Sequence, residues 1–203
     1  FLSAPRFSGR KLNRFELACA DGRWQWDKIA LQNASTAASR LFLLCHPHNP
    51  VGRCWSREEL VDLAAFAEQN DLVVCSDEIH CGLILDADKR HIPFASLSPD
   101  IAKRTITLMA PSKTFNIPGL GCAFAVISDA KLRHRFERAM HGIAAQQAGA
   151  LFQVVRRLAL AHDNGAQAQS IATVRCIDED TRHQSANTAE SVEHDVLRLR
   201  QRL

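Results

Sequence analysis

Three short apolar runs, Leu41 to Cys45, Leu72 to Cys75 and Thr105 to Ala110, recur in the first part of the chain, and each opens directly into a polar segment. Runs of this length, apolar on both faces and bounded by turn signals, predict strands buried inside a mostly parallel sheet. Between the first two, Ser56 and Glu59 have the spacing of a capping box, and Leu60, Leu63, Ala64 and Ala67 recur at helical intervals. That pattern predicts a helix ending near Asn70. Strand, helix and strand in this order form a unit whose right-handed crossover lays its two strands parallel. A fourth run, Cys122 to Ile127, follows the third after a connection too short for a helical crossover, so it is predicted to run antiparallel.

The flanking segments are read in the same way. Lys11 to Cys19 alternates as a strand does, Gly22-Arg23-Trp24 marks a turn, and Asp27 is placed to cap a short helix through about Asn33. Asp129 is placed to cap a helix through His141, with Leu132, Phe136 and Met140 on one side and Arg133, Arg135 and Arg138 mostly on the other. Beyond it, Ala144 to His162 has an amphipathic helical pattern through Leu151, Val154, Val155 and Leu158, and Val192, Val196, Leu199 and Leu203 mark another. Asp163 to Thr188, between them, carries few large apolar residues and is expected to bury little. The predicted fold class is α/β, a three-layer, mostly parallel sheet with helices on both faces. The predicted division is a large-domain core over 1–143 and a helical or poorly ordered tail over 144–203.

Composition narrows the function classes. The chain has 203 residues, 46% hydrophobic and 23% charged, with a net charge of +3. The basic residues are scattered, which leaves no nucleic-acid footprint. No stretch has the length of a membrane span, and the first residues lack the basic-then-apolar order of a signal peptide. Seven Cys, an odd number with no CxxC pair, predict reduced thiols in a cytoplasmic protein. His46 and His48 flank Pro47, and His80 adjoins Cys81, but neither pair has the spacing of a zinc motif, so no metal is predicted.

The polar segments behind the strands carry the candidate chemistry. They are Asn49-Pro50-Val51-Gly52, Ser76-Asp77-Glu78-Ile79-His80, and Ser112-Lys113-Thr114-Phe115-Asn116-Ile117-Pro118-Gly119-Leu120. Ligands of open α/β sheets sit at the carboxyl ends of the strands, so an Asn, an Asp and a Lys from three strands can converge on one small molecule. The three types suit pyridoxal 5'-phosphate. A lysine amine condenses with an aldehyde, an aspartate keeps a pyridine nitrogen protonated so that the ring acts as an electron sink, and an asparagine amide donates to a phenolic oxygen. Pro111, Pro118 and Gly119 are expected to constrain the loop that carries Lys113.

These residues resemble the fold-type I pyridoxal-phosphate enzymes of the class I/II aminotransferase superfamily, and within them the MalY/PatB-like branch of cystathionine β-lyases. The resemblance runs from about Phe1 to Ile143 and is strongest over His48 to Arg53, Ser76 to His80 and Ser112 to Leu120. It implies that Lys113 is the Schiff-base lysine, Asp77 the partner of the pyridine nitrogen and Asn49 a contact to the phenolic oxygen. It also implies that His80 neighbours that oxygen and that Ser112 contacts the phosphate. A His three residues after the Asp favours the lyase branch, since many aminotransferases of the fold carry Tyr there. Gly82 stands where related lyases commonly have an acidic residue, and Gly121 where many relatives have a basic or polar one.

The implied activity is carbon-sulfur β-elimination on cystathionine or another cysteine S-conjugate, giving a thiol, pyruvate and ammonia. An aminotransferase and a truncated, non-catalytic remnant stay open as alternatives. The resemblance also implies a homodimer acting on a small amino-acid substrate. A chain beginning at Phe1 reads as a fragment, whose family continues upstream with a glycine-rich phosphate loop and a stacking aromatic, and downstream with a smaller domain bearing a carboxylate-binding arginine.

Overall fold

The structure is a computed structural model and describes residues 1–118 and 122–140, together with the backbone of 171–176. A short helix α1 (Ala4–Phe7) is followed by a two-stranded hairpin, β1 (Ala18–Ala20) and β2 (Arg23–Gln25). Asp21 and Gly22 join its strands with φ of 51° and 72°. Two left-handed residues in succession match the twist of a tight hairpin. The strand expected over Lys11 to Cys19 is therefore confined to its last residues. Alternation alone does not hold an extended segment, and this one has a partner only where the turn supplies it. Asp27 caps α2 (Lys28–Ala34), its Oδ1 accepting from the Ala30 N–H at 2.7 Å.

The main sheet contains β3 (Leu41–Cys45), β4 (Val73–Asp77), β5 (Thr105–Met109), β6 (Cys122–Val126) and β7 (Ile171–Cys176), in that spatial order. The first three are parallel, β6 is antiparallel to β5 as expected, and β7 is antiparallel to β6. Four of the five strands thus run in one direction. β7 lies within the segment expected to bury little; backbone pairing to an open strand edge builds it, and that requires no apolar side chains. The two amphipathic helices expected on either side of it lie outside the described residues.

Two helical layers cover the sheet. Between β3 and β4 runs α3 (Arg57–Gln69), opened by the predicted capping box in which Ser56 Oγ accepts from the Glu59 N–H and the Glu59 carboxylate accepts from the Ser56 N–H. Its Leu60, Leu63, Ala64, Phe66 and Ala67 are buried with Leu44 and Val74, and Phe42 packs against them. The short α4 (Pro99–Arg104) adds Ile101 to the same cluster. Val73, one residue before Val74, points to the opposite face, where Ile106, Leu108, Ala125 and Ile127 meet Leu132 and Phe136 of α6 (Ala130–Met140). The period of two along β4 gives each helical layer its own face.

Candidate active site

The strand register determines where the polar segments emerge. Cys45 of β3 pairs with Asp77 of β4, and Asp77 pairs with Leu108 of β5. Adjacent strands lie about 4.8 Å apart, so three neighbouring exits span roughly 10 Å, the scale of a substituted aromatic ring. β4 was expected to end at Cys75. The ladder instead continues on both sides to Asp77, which makes Asp77 the last strand residue and fixes its backbone from two directions. Its Oδ1 accepts weakly from the Ile79 N–H at 3.3 Å, and the half-buried carboxylate is otherwise without a side-chain partner among the described residues.

Asn49 sits in a tight turn closed by a bridge between His48 and Arg53, with the His48 N–H donating to the Arg53 carbonyl at 2.7 Å and the Gly52 N–H to the His48 carbonyl at 2.8 Å. Gly52 has φ of 68°, a conformation that disfavours a side chain. The turn is held from behind: Arg53 pairs with Glu59, its guanidinium lies 4.8 Å from the Trp55 ring centre, and the Trp55 indole N–H donates to the Cys45 carbonyl at 3.1 Å. The His46–Pro47 and Asn49–Pro50 bonds are cis. The Asn49 side chain is left exposed.

Lys113 does not lie in an open loop. It belongs to a single helical turn, α5 (Pro111–Thr114), in which Pro111 occupies a first-turn position that needs no N–H donor. The turn ends at Asn116, with φ of 50°, and the Ile117 N–H returns to the Ser112 carbonyl at 3.0 Å. Ser112 is half-buried and Lys113 exposed. Gly119 and Gly121, which the sequence singled out, lie outside the described residues.

Gly82 acquires a reason in three dimensions. A Cβ there would sit 2.4 Å from Thr114 Cγ2 and 2.5 Å from Thr114 Oγ1. The segment leaving β4 through His80 therefore touches the turn carrying Lys113, and any side chain at position 82 would push the two apart. Local sequence gave no hint of this contact, because the residues are 32 positions apart.

Glu78 is the functional neighbour that the sequence reading left without a role. It is 1% exposed, and its carboxylate accepts from Ser76 Oγ at 2.8 Å and from the Phe94 N–H at 3.0 Å, and lies 2.6 Å from His91 Nε2. Alternation along the strand sends Asp77 and Glu78 to opposite faces, so one carboxylate is open to a ligand and the other pins the 78–94 connection to the sheet. Among the described residues, the side chains of Asn49, His80, Ser112 and Lys113 form no hydrogen bond or ion pair within the protein. A cavity of about 440 Å³ lined by Ser98, Pro99, Thr105 and Ser128 lies at the start of β5, the opposite end from these residues.

A sheet with an Asn, an Asp and a Lys at three consecutive carboxyl ends has the layout of an open α/β fold that binds a ligand there. The chain belongs to the aminotransferase class I and II family, whose model matches residues 4–194. It is 42% identical over 134 residues to the cystathionine beta-lyase PatB of Bacillus subtilis, covering 66% of this chain and 34% of that protein. Among solved structures, OvoB matches at 46% identity and a TM-score of 0.69, covering 72% of this chain and 38% of that one. Cystalysin from Treponema denticola, which contains pyridoxal 5'-phosphate, matches at 38% identity and a TM-score of 0.61, covering 64% and 33%. The chain thus spans about a third of the length of these relatives.

Proposed function

We propose that this chain is the cofactor-holding portion of a pyridoxal-phosphate-dependent carbon-sulfur β-lyase that converts a cysteine S-conjugate such as cystathionine, with water, into a thiol, pyruvate and ammonia. The observation that carries this reading is the delivery of Asn49, Asp77 and Lys113 from three adjacent strand exits, with side chains not spent on one another. Likeness to the cystathionine beta-lyase PatB supports the lyase over the aminotransferase that the family name also suggests.

The donor set fits the cofactor in kind: an amine for its aldehyde, a carboxylate for its ring nitrogen, an amide and an imidazole near its phenolic oxygen, and a hydroxyl for its phosphate. When bound, pyridoxal phosphate supplies an electron sink for a carbanion at the substrate's α-carbon. Lys113 would hold the cofactor's aldehyde covalently, and its free amine would serve as the general base for the substrate's α-proton. Asp77 holds a proton on the ring nitrogen, its backbone locked between β3 and β5 so that the carboxylate needs no reorganisation. Asn49 and His80 orient the phenolic side and Ser112 donates to phosphate.

The reading extends to a homodimer in the cytoplasm and to a division at about residue 143. Exposed Leu83, Leu85 and Phe115 flank the site residues, which suits a site completed by further protein. Among the described residues, Cys19, Cys45, Cys54, Cys75 and Cys81 form no disulfide, which suits a reducing compartment. No helix among the described residues is long and apolar enough to cross a membrane.

The test is an absorbance titration with pyridoxal phosphate followed by borohydride trapping, beside Lys113→Ala. The expected result is a visible band and a reduced adduct on Lys113, both missing in the variant, and pyruvate release from cystathionine by the full-length protein without an added 2-oxo acid. A folded chain with no Lys113-dependent adduct refutes the cofactor reading. Dependence on an added 2-oxo acid replaces the lyase with an aminotransferase.

A further inference from the structure

Behind the Asn49 turn lies a second constellation that the lyase reading does not use. His46, the residue after β3, is fully buried, His91 has a side chain 10% exposed, and Cys54 closes the turn between them and α3. One ligand atom from each lies within 4.8 Å of the other two. The two imidazoles are tilted by 33° with ring centres 4.6 Å apart.

Which nitrogens are available follows from their partners. His46 Nε2 is 3.0 Å from the Ile92 carbonyl and His91 Nε2 is 2.6 Å from the Glu78 carboxylate. Both acceptors require the proton on Nε2, so each Nδ1 of a neutral ring carries a bare lone pair. Among the described residues, His46 Nδ1 and His91 Nδ1 are buried and without a hydrogen-bond partner. Burial, reinforced by the neighbouring His91, lowers the His46 pKa to about 4, which keeps that ring neutral. Two buried, unpartnered ring nitrogens beside a thiol are costly unless something joins them.

We propose that His46, Cys54 and His91 form a Zn²⁺ site, with both imidazoles coordinating through Nδ1, Cys54 through its sulfur, and water in the fourth position. Two imidazoles and a thiolate suit zinc, and a carboxylate or backbone carbonyl on the far nitrogen is the outer shell that metal-binding histidines use. Here both outer partners are already in place. Tetrahedral bonds of about 2.0 to 2.3 Å put the ligand atoms roughly 3.3 to 3.8 Å apart, so from separations within 4.8 Å the three side chains close by up to about 1.5 Å. Burial raises the Cys54 thiol pKa, so in neutral solution the thiol releases its proton to solvent as the metal binds.

The ion would tie the start and end of the turn bearing Asn49 to the connection pinned by Glu78. It is a staple under the candidate active site and takes no part in its chemistry. No spacing in the sequence announces it, since His46 and Cys54 are eight residues apart and His91 lies a further 37 along.

The test uses the full chain without pyridoxal phosphate, so its outcome is independent of the lyase reading. Cobalt(II), added as a spectroscopic stand-in, is expected to give one equivalent of a visible tetrahedral spectrum with a thiolate charge-transfer band, displaced by one equivalent of Zn²⁺. Cys54→Ser, nearly isosteric, is expected to lose the band and weaken metal affinity at least a hundredfold, whereas Cys19→Ser keeps both. A band that survives in Cys54→Ser, or no band in a wild-type chain whose circular dichroism shows it folded, overturns the proposal. His46→Asn gives the second reading: a folded variant that still binds zinc as tightly as wild type also overturns it.

Discussion

Replacing Gly82 with alanine probes how the candidate site is assembled. The new methyl group would lie 2.4 Å, 2.5 Å and 3.0 Å from Cγ2, Oγ1 and Cβ of Thr114, where ordinary contact begins near 3.4 Å. Rotation of Thr114 does not relieve the clash. Two of the three staggered positions about its Cβ hold heavy atoms, and both atoms now crowd Gly82, so every rotamer leaves at least one of the crowded positions filled. Gly82 is not in the left-handed backbone region, so the effect is one of space alone. The contact has to open by about 1 Å, and Thr114 is the residue after Lys113 in α5, so Lys113 moves with it. Overpacking of this kind costs about 1 to 3 kcal/mol. We expect pyridoxal phosphate to bind the Gly82→Ala chain about tenfold more weakly, a loss of roughly 1.4 kcal/mol, by absorbance titration with the Lys113 adduct measured by mass spectrometry. Thr114→Ala in the same chain removes Cγ2 and Oγ1 and should restore most of the affinity. Unchanged binding in Gly82→Ala, or no recovery in the double variant, would refute the argument that this contact positions Lys113.

Three further outcomes follow from the packing and polar contacts. Glu78→Ala strips the buried Ser76 hydroxyl, Phe94 N–H and His91 imidazole of their common acceptor, and urea denaturation should register a loss of about 3 kcal/mol. Ser56→Ala removes one half of the capping box of α3, at about 1 kcal/mol in the same assay. Burial, with Asp77 adding to it, pushes the Cys75 thiol up to about 11 from 9.0. A folded-state pKa above the unfolded one gives stability that is fully present below pH 9 and lost as pH rises through 11. The alkaline limb of the stability profile should therefore fall by about 3 kcal/mol, and Cys75→Ala should flatten it; an unchanged limb in the variant would refute the assignment.

The sequence by itself determined the elements that rest on local chemistry. The capping box at Ser56 and Glu59, the Asp27 and Asp129 caps, and the apolar runs of β3, β5 and β6 are legible because each is set by residues a few positions apart. The antiparallel turn into β6 followed from connection length, and the candidate cofactor residues from their place behind strands. What tertiary structure decided were the pairings between distant segments. The two-sided ladder carried β4 on to Asp77, and the lack of a partner confined the Lys11–Cys19 strand to its end. The close approach of Thr114 explained Gly82, and burial on the second face made Glu78 a structural carboxylate. His46, Cys54 and His91 meet only because β3, its turn and the 78–94 connection fold onto one side of the sheet. Hydrophobic period and capping are short-range properties of a chain, whereas burial and ligand geometry belong to the segments that the sheet brings together.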